Sequence, residues 1–214
     1  MKHFPTCLLL IVLTVCGVAQ NSKRPLQLPP EAQPIEASLR QLDDALFRLG
    51  GRPPADSISK SLGWLKRRLK KNEPEEYRLS LTHDAFLLGL AAQAPNNLKG
   101  LIANVADDLK LKANDCRDFG HGRMVPIRVR TLRSDGKTDS GWRIRYVWIP
   151  STKVAITPAT RYFPAISSPA DYQLPPGTYE MFAERIVNGQ LKSVDGGPVP
   201  VGGMERIDWN MVVN

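Results

Sequence analysis

Cysteine, histidine and nucleotide-cradling glycine loops are what this chain has least of. Only three cysteines and three histidines occur in 214 residues. Cys7 and Cys16 fall in an apolar N-terminal run, so a chain trimmed behind that run keeps Cys116 alone. It then has no internal disulfide, and its fold must rest on an apolar core. His83 and His121 are well separated and have no ligand-spaced partners, so no metal site and no cofactor is expected. Gly196-Gly197 and Gly202-Gly203 lack the strand–helix setting and the lysine of a phosphate loop. A Gly-x-Ser-x-Gly nucleophile elbow is absent too. Basic charge is present but not concentrated. The net charge of +8 becomes +7 without Lys2, and residues 36–113 and 114–214 each carry 13 basic against 10 acidic side chains. An excess spread that evenly offers no dedicated nucleic-acid surface.

What is present begins with an address. Lys2 and His3 precede an apolar run from Phe4 to Val18, and Gly17-Val18-Ala19 suits cleavage before Gln20. The run is short for a membrane span. Residues 1–19 therefore read as a signal peptide and the protein as exported, to the periplasm or beyond. A competing reading attaches to Leu13-Thr14-Val15-Cys16, which resembles a bacterial lipobox, although Val15 stands where a small residue is usual. Lipidation at Cys16 would tether the chain to a membrane.

Residues 20–35, rich in proline, read as an extended linker. Helical periodicity follows over 36–113. Ile35, Leu39, Leu42 and Leu46 share one face, and Gly50-Gly51 with Pro53-Pro54 stops that helix. A second helix is expected over 57–71 behind Asp56 or Ser57, with a basic C-terminal end and Trp64, either a packed helix with a solvated face or a membrane-surface helix. A third is expected from Ser80 or Thr82 to Pro95, placing His83 in its first turn. The fourth, capped by Asn97, carries Leu98, Leu101, Ile102, Val105 and Leu109, with Asp107 and Asp108 off that stripe.

From about residue 122 the apolar period becomes two. Val125 to Thr131 and Trp142 to Ile149 alternate, Val154–Ile156 reads as a short strand, and Asn188-Gly189 is a strong hairpin signal. Near the centre lies Leu174-Pro175-Pro176-Gly177-Thr178-Tyr179, a stiff corner whose prolines cannot donate to a sheet, so a strand starts after them. The fold class is α+β: about four helices, then an antiparallel β-sandwich over 117–214. A strand pair, a proline-rich loop, this corner and a terminal strand resemble the prealbumin-like domains, including the carboxypeptidase regulatory-like modules of secreted and outer-membrane proteins. The resemblance implies a fold and names no ligand.

Two constellations carry the functional expectation. If 125–132 pairs with 142–149, then Arg128, Arg130, Arg143 and Arg145 share an outer face. Like charges there need an answer, from Asp107 and Asp108 of the helical part, from an anionic partner or from solvent. Tyr162, Phe163 and Tyr172, in or beside the loop 158–169, are the candidates for an exposed contact surface. Trp142, Tyr146, Trp148, Tyr179, Phe182 and Trp209 read as core. Cys116 with His121 could suggest a thiol and its base, but nothing supplies an oxyanion hole, and a structural thiol is the simpler reading. The expected function is a non-enzymatic interaction or adaptor protein of the periplasm or cell surface, with a protein or glycan partner. The alternative is an accessory carbohydrate-binding or substrate-targeting module of a surface hydrolase.

Overall fold

A computed structural model describes residues 26–27, 29, 31–148, 156–157, 160–203 and 205–213. The expected signal peptide, Cys16, residues 20–25 of the expected linker, and Ile149, Val154, Ala155 and Pro158 lie outside the described residues. The class is α+β, with the helices N-terminal to the strands.

Helix α1 (Ile35–Leu49) turns Ile35, Leu42, Ala45 and Leu49 inward and ends at Gly50, whose φ of 58° is left-handed backbone that glycine adopts without a Cβ clash. Helix α2 (Ala55–Arg68) starts directly after Pro54, two residues before the expected Ser57, and buries Ile58, Leu62 and Leu65. Its cations gather in the last turn, where they face the carbonyl end of the dipole. Trp64 packs half-buried on the core beneath the Arg67 guanidinium, 4.8 Å from the ring centre. Among the described residues no helix is long and apolar enough to cross a membrane.

Helix α3 (Glu75–Gln93) starts five residues before the expected Ser80, because Pro74 ends the preceding turn and Glu75 and Glu76 favour its positive N-terminus. His83 is therefore mid-helix and buried, not in a first turn. Helix α4 (Lys99–Phe119) follows Leu98, with no side-chain cap from Asn97, and runs on past 113. It stops only at Gly120, at φ 78°, whose N–H donates to the Cys116 carbonyl. Cys116 is thus helical, and Asp108, expected off the apolar stripe, faces the core.

The strands form two sheets of three and four. In the first, β2 (Val125–Leu132) lies between β6 (Ala170–Leu174), antiparallel, and β9 (Ile207–Val212), parallel. In the second, β5 (Arg161–Tyr162), β3 (Arg143–Trp148), β7 (Gly177–Val187) and β8 (Gln190–Val201) are antiparallel in that order. A short parallel pair joins β1 (Leu26–Gln27) to β4 (Ile156–Thr157).

The expected pairing of 125–132 with 142–149 does not occur. The turn at Ser134-Asp135-Gly136 returns the chain for a single bridge, Leu132 to Thr138. The chain then crosses to the other sheet at Trp142, which is fully buried and donates Nε1–H to Asp139 at 3.0 Å. Burying that indole outweighs continuing the hairpin.

Helices and sheets share one apolar core, running from Ile35 through Leu109 to Val125, Trp142, Tyr179 and Val213. α3 and α4 pack on the end of the sandwich where β3 ends and β7 begins. There the Leu174–Tyr179 corner is buried, and Tyr179 Oη–H donates to the Pro175 carbonyl at 2.9 Å.

Candidate functional site

Strand alternation puts one set of side chains on the outer face of the four-stranded sheet. Register places Arg145 beside both Tyr162 and Phe182, Arg143 beside Glu184, and Ile186 beside Leu191. The Arg143 guanidinium lies 4.0 Å over the Tyr162 ring, and that of Arg145 lies 3.8 Å over Phe182. Glu184 ties the layer together. It accepts from Arg145 Nε at 2.6 Å and from the Tyr162 hydroxyl at 3.0 Å. This stacked platform ends in an apolar pair at the β7–β8 turn, with Ile186 73% and Leu191 66% exposed.

Of the seven expected contact residues, Arg143, Arg145 and Tyr162 are brought together here. Arg128 and Arg130 are on the other sheet, so the four arginines share no face. Arg128 makes a two-pronged pair with Asp171 at 2.7 and 2.8 Å, and Arg130 reaches Asp208 at 3.4 Å. Their charge is answered by neighbouring strands and not by Asp107 and Asp108. Phe163 is core, 1% exposed, because its N–H bonds to the Ile144 carbonyl and turns the ring between Tyr146 and Tyr172. Tyr172 is half-buried, and its hydroxyl donates to Glu76 of α3 at 3.2 Å. Arg161 also reaches Glu76, at 2.9 Å, so this glutamate joins helices to sandwich. Trp142, Tyr146, Trp148 and Tyr179 are core as expected, whereas Phe182 is a half-buried member of the outer platform and Trp209 packs half-buried at the core edge.

A second cluster lies under the sandwich end. Lys112 of α4 and Asp84 of α3 are both 0% exposed, with Nζ to Oδ2 at 2.7 Å. The Lys112 ammonium is 5.3 Å from the centre of the Trp148 ring, and His83 meets the same ring at 5.3 Å. His83 Nε2–H donates to the Pro29 carbonyl at 2.9 Å, which docks this part of the linker on α3 and makes Nδ1 the bare acceptor. Burial, opposed by that bond, lowers its pKa to about 4. Asp108, one turn before Lys112, is also buried, and burial raises both carboxyls while Lys112 opposes the rise. Asp84 Oδ1, Asp108 Oδ2, His83 Nδ1, Ser80 Oγ and Trp148 Nε1 have no hydrogen-bond partner. Beside them, between Ser80, His83, Tyr146, Trp148 and Tyr179, is a cavity of about 10 Å³, room for about one water.

The sequence carried a signal for this cluster. Leu101, Val105, Asp108, Lys112 and Cys116 recur at the spacing of one helical face, so two charges interrupt an otherwise apolar stripe.

Cys116 and His121 do not form a thiol–base pair. The Cys116 thiol is buried 3.7 Å from the Tyr77 hydroxyl, and burial raises its pKa to about 11. His121 Nδ1 contacts the neighbouring Gly122 carbonyl instead. Among the described residues, no cluster of three or more His, Cys, Asp and Glu side chains could hold a metal ion. Comparison of the sequence with protein-family models and with curated proteins found no match to either.

Proposed function

We propose that the chain is a non-enzymatic interaction protein of the cell envelope, exported by its N-terminal leader, with a prealbumin-like module that offers its outer sheet face to a protein partner. The observation that carries this reading is the exposed Ile186–Leu191 pair at the end of the arginine–aromatic platform. Large apolar side chains adjoining stacked aromatic and arginine groups have the composition of a contact patch. Among the described residues Arg143 has no carboxylate partner, so the partner that fits brings an apolar centre and an acidic rim. The resemblance to prealbumin-like modules is supported by the two-sheet arrangement and by the corner that opens β7 at Gly177.

The glycan reading is less well supported. The Tyr162 ring is stacked under Arg143 and its hydroxyl is engaged by Glu184, so a sugar would have to displace both.

A photo-crosslinking residue at position 191, in cells that make the protein, should give a discrete protein adduct. Ile186→Asp should abolish that adduct and leave the melting temperature within about 2 °C. Absence of an adduct, together with polysaccharide binding lost in Tyr162→Ala, would transfer the assignment to the carbohydrate-binding alternative. The mass of the mature N-terminus separates export with cleavage before Gln20 from lipidation at Cys16.

A further inference from the structure

The four-stranded sheet ends at β8, and the free edge of that strand changes character along its length. Asn188 and Gly189, at φ 52° and 75°, form a two-residue turn that makes Val187 and Gln190 a hydrogen-bonded pair. Alternation from that pair turns the N–H and C=O of Gln190, Lys192 and Val194 toward β7. Those of Leu191, Ser193 and Asp195 point away from it, and among the described residues no strand or backbone group takes them up. Further along, Pro198 and Pro200 hold the outward positions, where a missing N–H removes no ladder bond. A register irregularity opposite Glu180 and Phe182 separates the two stretches. Proline and bulge are the usual guards of an exposed edge, so 198–201 is closed to pairing and 190–195 is open.

Open ladder groups select their own class of partner, an extended chain. The side chains then narrow it. On the outer face Leu191 and Ile186 are 66% and 73% exposed, so an apolar residue opposite Leu191 covers it and continues the row begun by Ile186. On the other face Lys192 is exposed, with Nζ 6.0 Å from the centre of the Trp142 ring. The adjacent Arg185 already takes Asp139 at 3.3 Å, whereas Lys192 has no carboxylate among the described residues. An acidic residue on the incoming strand answers that charge. A second copy of this chain fits poorly. Antiparallel self-pairing through all three open residues sets Leu191 against Asp195, and centring it one residue earlier sets Lys192 against itself.

We propose, on the reading of the outer face as a protein contact, that the 190–195 edge of β8 takes up an extended segment of the partner as an added antiparallel strand. That segment alternates apolar residues on the outer face with acidic residues beside Lys192. Leu191, Ser193 and Asp195 supply the ladder, and Ile186 with the arginine–aromatic platform borders it. Affinity comes from the backbone bonds and selectivity from the two unlike faces.

The probe is a labelled seven-residue peptide of alternating valine and glutamate, titrated into the purified full chain. Saturating peptide should slow amide exchange at Leu191, Ser193 and Asp195 by about tenfold or more, and leave the already bonded Lys192 and Val194 unchanged. Ser193→Pro puts another proline at an outward position, so it should keep the fold and weaken the peptide by about tenfold or more. Ser193→Ala, which retains the N–H, should bind like wild type. Methylating the valine nitrogens of the peptide should weaken it equally, and that comparison needs no variant to fold. Exchange at the three amides that does not respond to the peptide, or equal binding by Ser193→Pro, overturns strand addition. In cells, Ser193→Pro should also remove the adduct formed at position 191. An adduct that survives Ser193→Pro overturns the added strand and leaves the contact face standing. An adduct of the chain with itself overturns it in favour of a second copy. No adduct at 191 in the wild type fails the contact reading itself, and the strand site with it.

Discussion

At the scale of single residues, burial sets the chemistry, and pH should reveal it. Burial lifts the Asp108 carboxyl from the usual carboxylate range to about 7. The unfolded chain releases this proton near pH 4 while the fold holds it, so folded molecules bind more protons between pH 4 and 7. Stability from this group therefore falls as pH rises through that window. His83 acts in the opposite sense. Its pKa drops to about 4, so the unfolded chain binds more protons between pH 4 and 6.5, and acidification costs stability. The two oppose each other below pH 6.5, and Asp108→Asn separates them. The variant should gain on wild type steadily from pH 4 to 7, by a few kcal/mol at most, in melting curves. A constant difference across that range would show that Asp108 is not held neutral. Cys116, with its thiol raised to about 11, should resist alkylation in the native state and react promptly in denaturant. Equal rates in the two states would place it at the surface.

At the scale of elements, what the sequence made legible was whatever depends on local periodicity or backbone geometry. The Gly50 stop, the Asn188-Gly189 turn and the Leu174–Tyr179 corner are local, and each is where expected. Strand partners are not local. Val125–Leu132 and Arg143–Trp148 look like a hairpin until the burial of Trp142 sends the second to another sheet, and with it went the four-arginine face. Asp108 was expected off the α4 stripe although it and Lys112 recur at the stripe's spacing, and the sequence could not say that Asp84 from another helix would meet Lys112. The corner also imposes a packing constraint that the hexapeptide alone conceals. A Cβ at Gly177 would sit 2.8 Å from Trp148 Nε1, and one at Gly122 would sit 2.8 Å from the Tyr77 ring. Both neighbours are rigid aromatics, so Gly177→Ala and Gly122→Ala should each cost about 1–3 kcal/mol in denaturant unfolding. Gly89→Ala, with open space around its Cβ inside α3, should be neutral or stabilising by up to about 1 kcal/mol. If all three variants behaved alike, close packing at the corner would not be the cause.

At the scale of the whole molecule, the division into a helical part and a sandwich is one of sequence pattern, and the core does not respect it. Buried residues form one cluster through Leu88, Leu109, Val125 and Tyr179, and Glu76 on α3 takes both Arg161 and Tyr172 across the junction. Two parts that share a core lose apolar burial together, so neither should survive the unfolding of the other. Helical circular dichroism reports α1 to α4, while tryptophan emission reports mainly the sandwich, through Trp142, Trp148 and Trp209, with Trp64 alone in the helices. Both signals should follow a single denaturant transition with the same midpoint. Glu76→Ala removes the nearer of the two carboxylates on the half-buried Arg161, leaving Glu75, and the acceptor of the Tyr172 hydroxyl, a loss of about 1–3 kcal/mol. It should move both midpoints down by the same amount, because the junction is part of one cooperative unit. Separation of the curves in the wild type, or a shift confined to the tryptophan signal in Glu76→Ala, would mean that the sandwich unfolds on its own and that its attachment to the helices is peripheral.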